Sequence, residues 1–126
     1  MIHTHKDIDP GLCGKPLETG DGFSKVMLDT LDSMKVDETG LVHGGFIFGL
    51  ADYAAMIAVN HPNVVLGAAD VKFIKPVKAG ETAIADARVE SSEGKKSLVA
   101  VKVDVAGEEV FKGVFTCFSL DQHVLK

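Results

Sequence analysis

Asp52 is the single charged side chain in the stretch GGFIFGLADYAAMIAVN, which spans residues 44–60. Apolar residues such as Phe46, Leu50 and Ile57 recur there at helical spacing, which predicts a helix that is apolar nearly all round. A bilayer span needs about 20 apolar residues and tolerates an aspartate poorly, so we expect this helix in a protein core. A carboxylate there is costly unless it has a partner or a chemical purpose. A bond to a buried backbone group or to a neighbouring lysine would be a purely structural role.

The sequence His43-Gly44-Gly45 lies where this helix is predicted to begin. The first N–H groups of a helix have no intrahelical acceptor, and two glycines let a ligand approach the backbone closely. Free amides and the positive end of the helix dipole suit an oxyanion that develops on an attacked carbonyl. The alternative is that the glycines merely let the chain turn tightly into the helix.

The composition is that of an ordinary globular protein. The 126 residues are 46% hydrophobic and 25% charged, with a net charge of −5, so we expect a single domain over residues 1–126. The acidic balance disfavours nonspecific nucleic-acid binding, because phosphate contacts need a basic surface. The N-terminal residues lack a signal-peptide pattern, so we expect a cytoplasmic protein. Cys13 and Cys117 match no metal-ligand spacing and predict reduced thiols.

The segments before the helix are less regular. Residues 1–21 are rich in proline, glycine and aspartate, which predicts a loop-rich lead-in. His3 and His5 could ligate a metal, but solvated side chains are the expectation near a terminus, and we predict no metal site. Residues 23–36, FSKVMLDTLDSMKV, alternate for part of their length and predict a strand with an irregularity near Thr30.

Four further strands are predicted after the helix. In TAIADARVESS and SLVAVKVDVA, apolar and polar residues alternate with a period of two, which indicates strands with one buried face. The connections KAGE, SEGKK and AGEE each carry the glycine typical of a hairpin turn, so we expect the four strands to form a meander. The predicted architecture is α+β, an antiparallel β-sheet wrapped around one long central helix. Ala83, Ala85 and Ala87 would let the helix approach the sheet closely.

Two stretches carry a family resemblance. LVHGGFIFGLAD, residues 41–52, resembles the His-Gly-Gly…Asp signature of hotdog-fold acyl-CoA thioesterases of the phenylacetate-pathway (PaaI-like) type. DVKFIKPVKAGE, residues 70–81, is similar to the strand and hairpin that follow the helix in the same families. The resemblance covers residues 23–120 and implies a hotdog fold. It also implies a hydrolase that cleaves an acyl-CoA to free acid and coenzyme A, with no cofactor beyond the coenzyme A of the substrate.

The resemblance also implies roles for particular residues. Asp52 would activate water or attack the thioester directly, with its pKa raised by desolvation. The Gly44 amide would stabilise the oxyanion, and His43 would position the site. Apart from the resemblance, several lysines are candidates for the phosphates of coenzyme A, and the alternative for each of them is a solvated surface side chain. The predicted substrate-binding residues are Gly45, Phe48, Lys72, Phe73, Lys95 and Lys96.

One position departs from the family pattern. Related thioesterases often carry an asparagine six residues before the histidine, and that position is Asp37 here. An ionised carboxylate cannot donate a hydrogen bond. Either Asp37 is a surface residue in a turn before Gly40, or the site works differently from those relatives.

Spacing on the predicted helix indicates a shared site. Gly44 and Asp52 are eight residues apart, which separates their backbones by roughly 12 Å at 1.5 Å per residue. One thioester cannot meet both groups within one chain, so we expect a homodimer in which antiparallel helices bring Gly44 of one subunit beside Asp52 of the other. A tetramer stays open, and we expect neither nucleic acid nor membrane as a partner.

Two other functions stay open. ADVKFIKPVKAGE and VFKGVFT also resemble the ligand domain of the malonyl-CoA-sensing repressor of fatty-acid synthesis, which implies a non-catalytic acyl-CoA binding module. These 126 residues leave no room for a helix-turn-helix, so we do not expect repression by this sequence itself. A hotdog dehydratase would need a histidine and a carboxylate placed for proton transfer, but the Gly-Gly helix start favours acyl transfer.

Overall fold

Six strands and one long helix make up most of the fold. The structure, a computed structural model, describes residues 1–126. The elements are α1 (Pro10–Cys13), β1 (Lys15–Gly20), β2 (Phe23–Asp29), a 3-10 turn (Asp32–Met34), α2 (Gly44–Val59), β3 (Val64–Phe73), β4 (Thr82–Glu93), β5 (Lys96–Val105) and β6 (Glu108–Ser119).

Helix α2 has the bounds that its apolar periodicity predicts. It begins at Gly44 after the N-cap His43 and ends at Val59, where Asn60 adopts the left-handed conformation with φ 55° and ψ 39°. Asparagine is one of the few residues that adopt this conformation readily, so it can end a helix as glycine does.

The six strands form one antiparallel sheet that packs against α2. Their order is β1-β2-β4-β5-β6-β3, so β1 and β3 lie at the two edges. This is the α+β hotdog architecture expected from the sequence, and that prediction is confirmed. The inner face of β4 presents Ala83, Ala85 and Ala87, all buried, and these small side chains let α2 lie close to the sheet, as predicted.

The prediction of a four-strand meander is wrong for β3. Strands β4, β5 and β6 are sequential antiparallel neighbours, but β3 pairs with β6, from Val64 opposite Ser119 to Phe73 opposite Phe111. The segment KAGE is therefore not a hairpin turn. Its turn instead docks on Thr30, whose N–H donates to the Glu81 carbonyl oxygen at 3.0 Å and whose own carbonyl accepts from Gly80 N–H at 3.1 Å. A period of two identifies a strand without identifying its partner.

The N-terminal residues hold more regular structure than the predicted lead-in. Helix α1 is one short turn, and β1 pairs with β2 in a hairpin, from Gly20 opposite Phe23 to Lys15 opposite Met27. Strand β1 reads KPLETG and is mostly exposed, so it lacks the apolar alternation that identifies a half-buried strand. Strand β2 ends at Asp29, immediately before the irregularity predicted at Thr30.

No helix of the chain combines the length and the apolar character needed to cross a membrane. The most apolar one, α2, has 16 residues and packs against the sheet and α1.

Candidate active site

The start of α2 is capped by a histidine ring. The N–H of Gly45 donates to Nδ1 of His43 at 2.8 Å, and the N–H of Phe46 donates to the His43 carbonyl oxygen at 3.0 Å. A Cβ on residue 45 would lie 2.8 Å from His43 Nδ1, so glycine is needed there for the cap to form. Since Nδ1 accepts this bond, neutral His43 carries its proton on Nε2. The ring thus acts as a cap at the start of α2.

The Gly44 amide differs from its two successors. It occupies the first helical position, where no intrahelical acceptor exists, and no other group of the chain accepts its hydrogen bond. The ring of Phe73, at the end of β3, covers this residue so closely that a Cβ on Gly44 would lie 3.0 Å from the ring. The structure therefore leaves one of the two predicted glycine amides free, and that amide belongs to Gly44.

A cleft of about 320 Å³ opens beside Gly44. Most of its lining is apolar, and it comes from the segment before α2, the first turn of α2, the residues after β3 and the start of β6. The lining residues are Leu41, Val42, Gly44, Ile47, Phe73, Ile74, Lys75, Pro76, Val77 and Val110. From the sequence only Gly44 and Phe73 were identified among them; the adjacent apolar pair Phe73-Ile74 shortly before Pro76 is the signal that could have marked the segment 73–77.

Asp52 is a carboxylate without a partner in the chain. Its Oδ1 is buried and accepts no hydrogen bond, and burial raises the pKa of the carboxyl to about 6. One turn earlier, the Phe48 ring packs on Phe115 at 5.4 Å between centroids, so apolar groups stand beside the carboxylate. Neither a backbone donor nor a lysine satisfies Asp52, and the structural roles considered for it are therefore absent within the chain.

The two thiols are poor candidates for a nucleophile. Burial, reinforced by the negative charge of Asp52, raises the pKa of Cys117 to about 12 and also raises the pKa of Cys13. Thiols with a raised pKa stay protonated near neutral pH, and the thiolate is the reactive form. Asp52 is thus the better candidate for the group that activates or attacks.

Asp37 lies in an exposed turn. Its Oδ1 accepts hydrogen bonds from the N–H of Thr39 at 2.9 Å and from Thr39 Oγ1 at 2.6 Å, and these bonds lower the pKa of the Asp37 carboxyl. Of the two possibilities set by the sequence, a surface residue in a turn before Gly40 is the one observed. It supplies no donor to the Gly44 cleft.

The predicted phosphate-binding lysines do not cluster around Gly44. Lys72 lies directly opposite Lys112, on the outer face of the sheet. Lys95 and Lys96 lie at the β4–β5 turn, next to the end of β6, and Lys95 Nζ is 2.6 Å from Asp121 Oδ2. Within one chain this turn is near the C-terminal end of α2, whereas Gly44 is at the N-terminal end.

Taken together, the chain offers an oxyanion donor and a desolvated carboxylate on one helix but does not bring them together. Asp52 lies two helical turns beyond Gly44, and their backbones are about 12 Å apart at 1.5 Å per residue. The chain also groups no three His, Cys, Asp or Glu side chains as metal ligands.

The family described as "Thioesterase superfamily" matches residues 39–111, which contain Gly44, Asp52 and the cleft-lining residues. A methylthioribose-1-phosphate isomerase of Aquifex aeolicus is 53% identical over 121 residues, which are 95% of this chain and 26% of that protein. The transcription factor FapR of Caldanaerobacter subterraneus is 34% identical over 110 residues, 87% of this chain and 54% of that protein. The chain thus spans about a quarter and about half of the lengths of these two curated relatives.

Two solved structures are similar over nearly the whole chain. An uncharacterized protein of Pyrococcus horikoshii is 53% identical with a TM-score of 0.99, covering 100% of this chain and 97% of that one. A Streptococcus mutans protein with acetyl CoA bound is 24% identical with a TM-score of 0.82, covering 96% of this chain and 98% of that one. At that lower identity the second likeness shows the fold alone.

Proposed function

Because the chain belongs to the thioesterase superfamily, we propose that it is an acyl-CoA thioesterase of the PaaI-like type, which hydrolyses a thioester to a free acid and coenzyme A. The observation that carries this proposal is the unpartnered carboxylate of Asp52, whose Oδ1 is buried, on the same helix that leaves the Gly44 amide free. A structural carboxylate would be satisfied by a donor of the chain, since burial of an unpaired one is costly. The acetyl CoA in the Streptococcus mutans protein of the same fold supports coenzyme A as the carrier.

In the proposed reaction Asp52 accepts and returns a proton, and the Gly44 N–H stabilises a developing negative charge. Asp52 takes a proton from water, and the hydroxide oxygen adds to the thioester carbonyl carbon. The Gly44 N–H stabilises the negative charge on the carbonyl oxygen. The tetrahedral intermediate then collapses, the C–S bond breaks, and the thiolate leaves with the proton held by Asp52. Direct attack by Asp52 would use the same two groups: the carboxylate oxygen adds to the carbonyl carbon, the C–S bond breaks and the coenzyme A thiolate leaves, and water then hydrolyses the resulting anhydride.

The proposed site is shared by two subunits. Strand β3 is ten residues long and lies at the edge of the sheet, so one row of its N–H and C=O groups has no partner in the chain. Beside it, Phe73 and Ile74 are 57% and 43% exposed. A two-fold pairing of β3 with its copy would cover these side chains and run the two α2 helices antiparallel. Gly44 of one subunit would then face Asp52 of the other, and a tetramer would be a further assembly of such dimers.

The same arrangement gives the β4–β5 turn a role. Lys95 and Lys96 lie far from Gly44 of their own chain. When two α2 helices run antiparallel, however, the C-terminal end of one helix, with its β4–β5 turn, lies near the N-terminal end of the other. In the proposal these two lysines therefore meet the coenzyme A phosphates at the site that uses the other subunit's Gly44. The free thiols of Cys13 and Cys117 fit the proposed cytoplasmic location, where thiols are kept reduced.

A second candidate is a binding module without turnover, which the relative named as a transcription factor favours. A panel of acyl-CoAs tested with a thiol reagent, beside thermal unfolding with each compound, separates the two. We expect thiol release that depends on the enzyme concentration. Stabilisation by acyl-CoA without thiol release would overturn hydrolysis in favour of binding.

A further inference from the structure

The cleft beside Gly44 has an apolar floor and an open mouth. Four of its lining side chains, Val42, Ile47, Val77 and Val110, are at most 5% exposed, whereas Phe73 at the mouth is 57% exposed in the single chain. In the proposed dimer the partner's β3 lies beside this mouth, so the acyl group enters between the subunits. Ile47 lies one helical turn after Gly44, so its side chain stands on the same face of α2 as the free amide. A group that reaches the Gly44 N–H from outside therefore has an apolar wall directly beside it.

The polar groups of the lining are largely occupied within the chain. Val42 N–H donates to the Val77 carbonyl oxygen at 2.8 Å, and the N–H groups of Ile74 and Lys75 both donate to the Val110 carbonyl oxygen. The one cationic side chain of the lining is Lys75, and its Nζ lies 3.2 Å from Glu108 Oε2. Beside these, the Gly44 amide stands out as a free donor, and no unpaired cation remains for a ligand carboxylate.

The volume limits how much of an acyl chain the cleft can bury. Water occupies about 30 Å³ per molecule in the liquid, and a methylene group is of the same order, so about 320 Å³ holds at most roughly ten such groups. An apolar chain in this space removes its own surface and the walls from water, at about 0.8 kcal/mol for each methylene buried. A carboxylate in the same space would lose its hydration without gaining a partner.

We infer that this cleft receives the acyl group of the substrate and selects uncharged acyl chains of up to about ten carbons over acyl groups that end in a carboxylate. The inference rests on the proposed function, because it places the thioester carbonyl at Gly44. Val77 and Ile47 then set the length limit from two sides of the floor. The preferred substrates are short and medium straight-chain acyl thioesters, and dicarboxylic half-thioesters are excluded.

Two substitutions change the floor in opposite directions. Val77→Phe fills the cleft, so we expect kcat/KM for octanoyl-CoA to fall at least tenfold while acetyl-CoA hydrolysis changes less than threefold, as losing several buried methylenes implies. Ile47→Ala enlarges the cleft and should move the optimum toward longer chains. Val114→Phe is the matched control, since it adds the same bulk on the outer face of β6, away from the cleft, and should leave the chain-length profile unchanged.

Charge selection is tested with two acyl groups of similar size. For the unmodified protein we expect kcat/KM for hexanoyl-CoA to exceed that for glutaryl-CoA by at least about a hundredfold, because the glutaryl carboxylate would enter the cleft unpaired. Equal rates for the two would overturn the selection against charge. A profile that Val77→Phe and Ile47→Ala leave unmoved would overturn the placement of the acyl group, even with thiol release intact.

Thermal unfolding with non-hydrolysable acyl-CoA thioethers keeps the inference separate from the proposed reaction. We expect the rise in unfolding temperature to grow with acyl length up to about ten carbons, and to stop growing at a shorter length in Val77→Phe. This result would support the cleft as the acyl site even where no thioester is hydrolysed. Absence of thiol release would then overturn only the reaction. If Val77→Phe loses the dimer by native mass, Ile47→Ala decides the test: an unchanged chain-length optimum in that variant would overturn the inference.

Discussion

The two ends of α2 are built differently. At the C-terminal end, Asn60 closes the helix: its N–H donates to the Met56 carbonyl oxygen at 2.8 Å, and its side chain bonds the N–H of His3 and the carbonyl of Met1. At the N-terminal end, His43 satisfies one amide with its ring, and the Gly44 amide is left unpaired. The C-terminal end is thus tied to the N-terminal residues through Asn60, whereas the N-terminal end keeps an unpaired amide.

This difference separates stability from function along one helix. The closed end ties the N-terminal residues to α2 and lies far from the cleft. The open end keeps a donor for a ligand at the cost of an unsatisfied group, which is the kind of local inconsistency expected at a functional site. Substitutions at the two ends should therefore act on different measurable quantities.

The largest expected effect on activity comes from removing the free amide of Gly44. Gly44→Pro deletes the N–H, and proline is tolerated at the first helical position. His43, with φ −61° and ψ 129°, already has the extended conformation required before proline. We expect kcat/KM to fall at least about a hundredfold, the usual effect of losing an oxyanion donor.

Gly44→Ala is the control for that experiment. It adds the same Cβ against Phe73, 3.0 Å from the ring, but keeps the N–H, so its loss of kcat/KM should stay within about tenfold. Equal losses in the two variants would show that the contact with Phe73, and not the amide, accounts for the effect.

The second test concerns the carboxylate at the middle of the helix, Asp52. The pKa of Asp52 is about 6 in the folded chain, against the ordinary value of 3.8. The folded state therefore binds a proton more tightly than the unfolded state. The protonated carboxyl therefore contributes to the free energy of unfolding. This contribution is fully present below about pH 4 and is lost as the pH rises through about 6, by roughly 3 kcal/mol in total.

Asp52→Asn removes the charge that causes this loss. We expect its free energy of unfolding in urea to exceed that of the unmodified protein by up to about 3 kcal/mol at pH 8, with the difference vanishing below about pH 4. The same variant should lose at least about a hundredfold in kcat. No gain in stability at pH 8 would indicate that the carboxylate is paired in solution, for example by a second subunit.

Mixed dimers test whether the open end of one helix works with the carboxylate of another. Gly44→Pro and Asp52→Asn should each be inactive alone. After unfolding and refolding together in equal amounts, about half of the dimers should be mixed, each with one intact site, and activity near a quarter of the unmodified level should return. Mixed dimers shown by mass but without activity would place both groups in one chain or remove Gly44 from the mechanism.

The smallest expected effect lies at the closed end. Asn60→Gly keeps the left-handed conformation but removes the bonds to Met1 and His3, and should cost about 1 kcal/mol of unfolding free energy. Asn60→Ala removes the same bonds and adds the strain of a left-handed alanine, about 1 kcal/mol more. Both variants should keep kcat/KM within twofold, and a larger loss of activity would contradict the separation of the two ends.

The sequence was sufficient to predict α2 and the strand faces because periodicity reports directly which side chains are buried. It identified Asp52 as a single charge in an apolar run. It did not predict that β3 pairs with β6, because strand partners depend on contacts distant in sequence. It also missed β1, whose exposed residues carry no apolar pattern.

At the site, the limit of sequence reasoning lies in single hydrogen bonds. His43-Gly44-Gly45 indicated free amides, but only the orientation of the His43 ring decides that the Gly45 amide is used and the Gly44 amide is not. The floor of the cleft unites Val42, Val77 and Val110 from three separate segments. No spacing rule links them, because they meet only when the residues after β3 fold back against the start of β6.

The pairing of β3 with β6 has a further consequence for how the chain is made. During synthesis, α2 and β3 are made before β4, β5 and β6, at roughly 5–20 residues per second. The most apolar helix of the protein and the long edge strand must therefore wait, uncovered, for a strand that is completed only when Ser119 has been added. Substitutions that slow translation or folding between Phe73 and Phe111 should lower the yield of soluble protein without changing the stability of the finished fold.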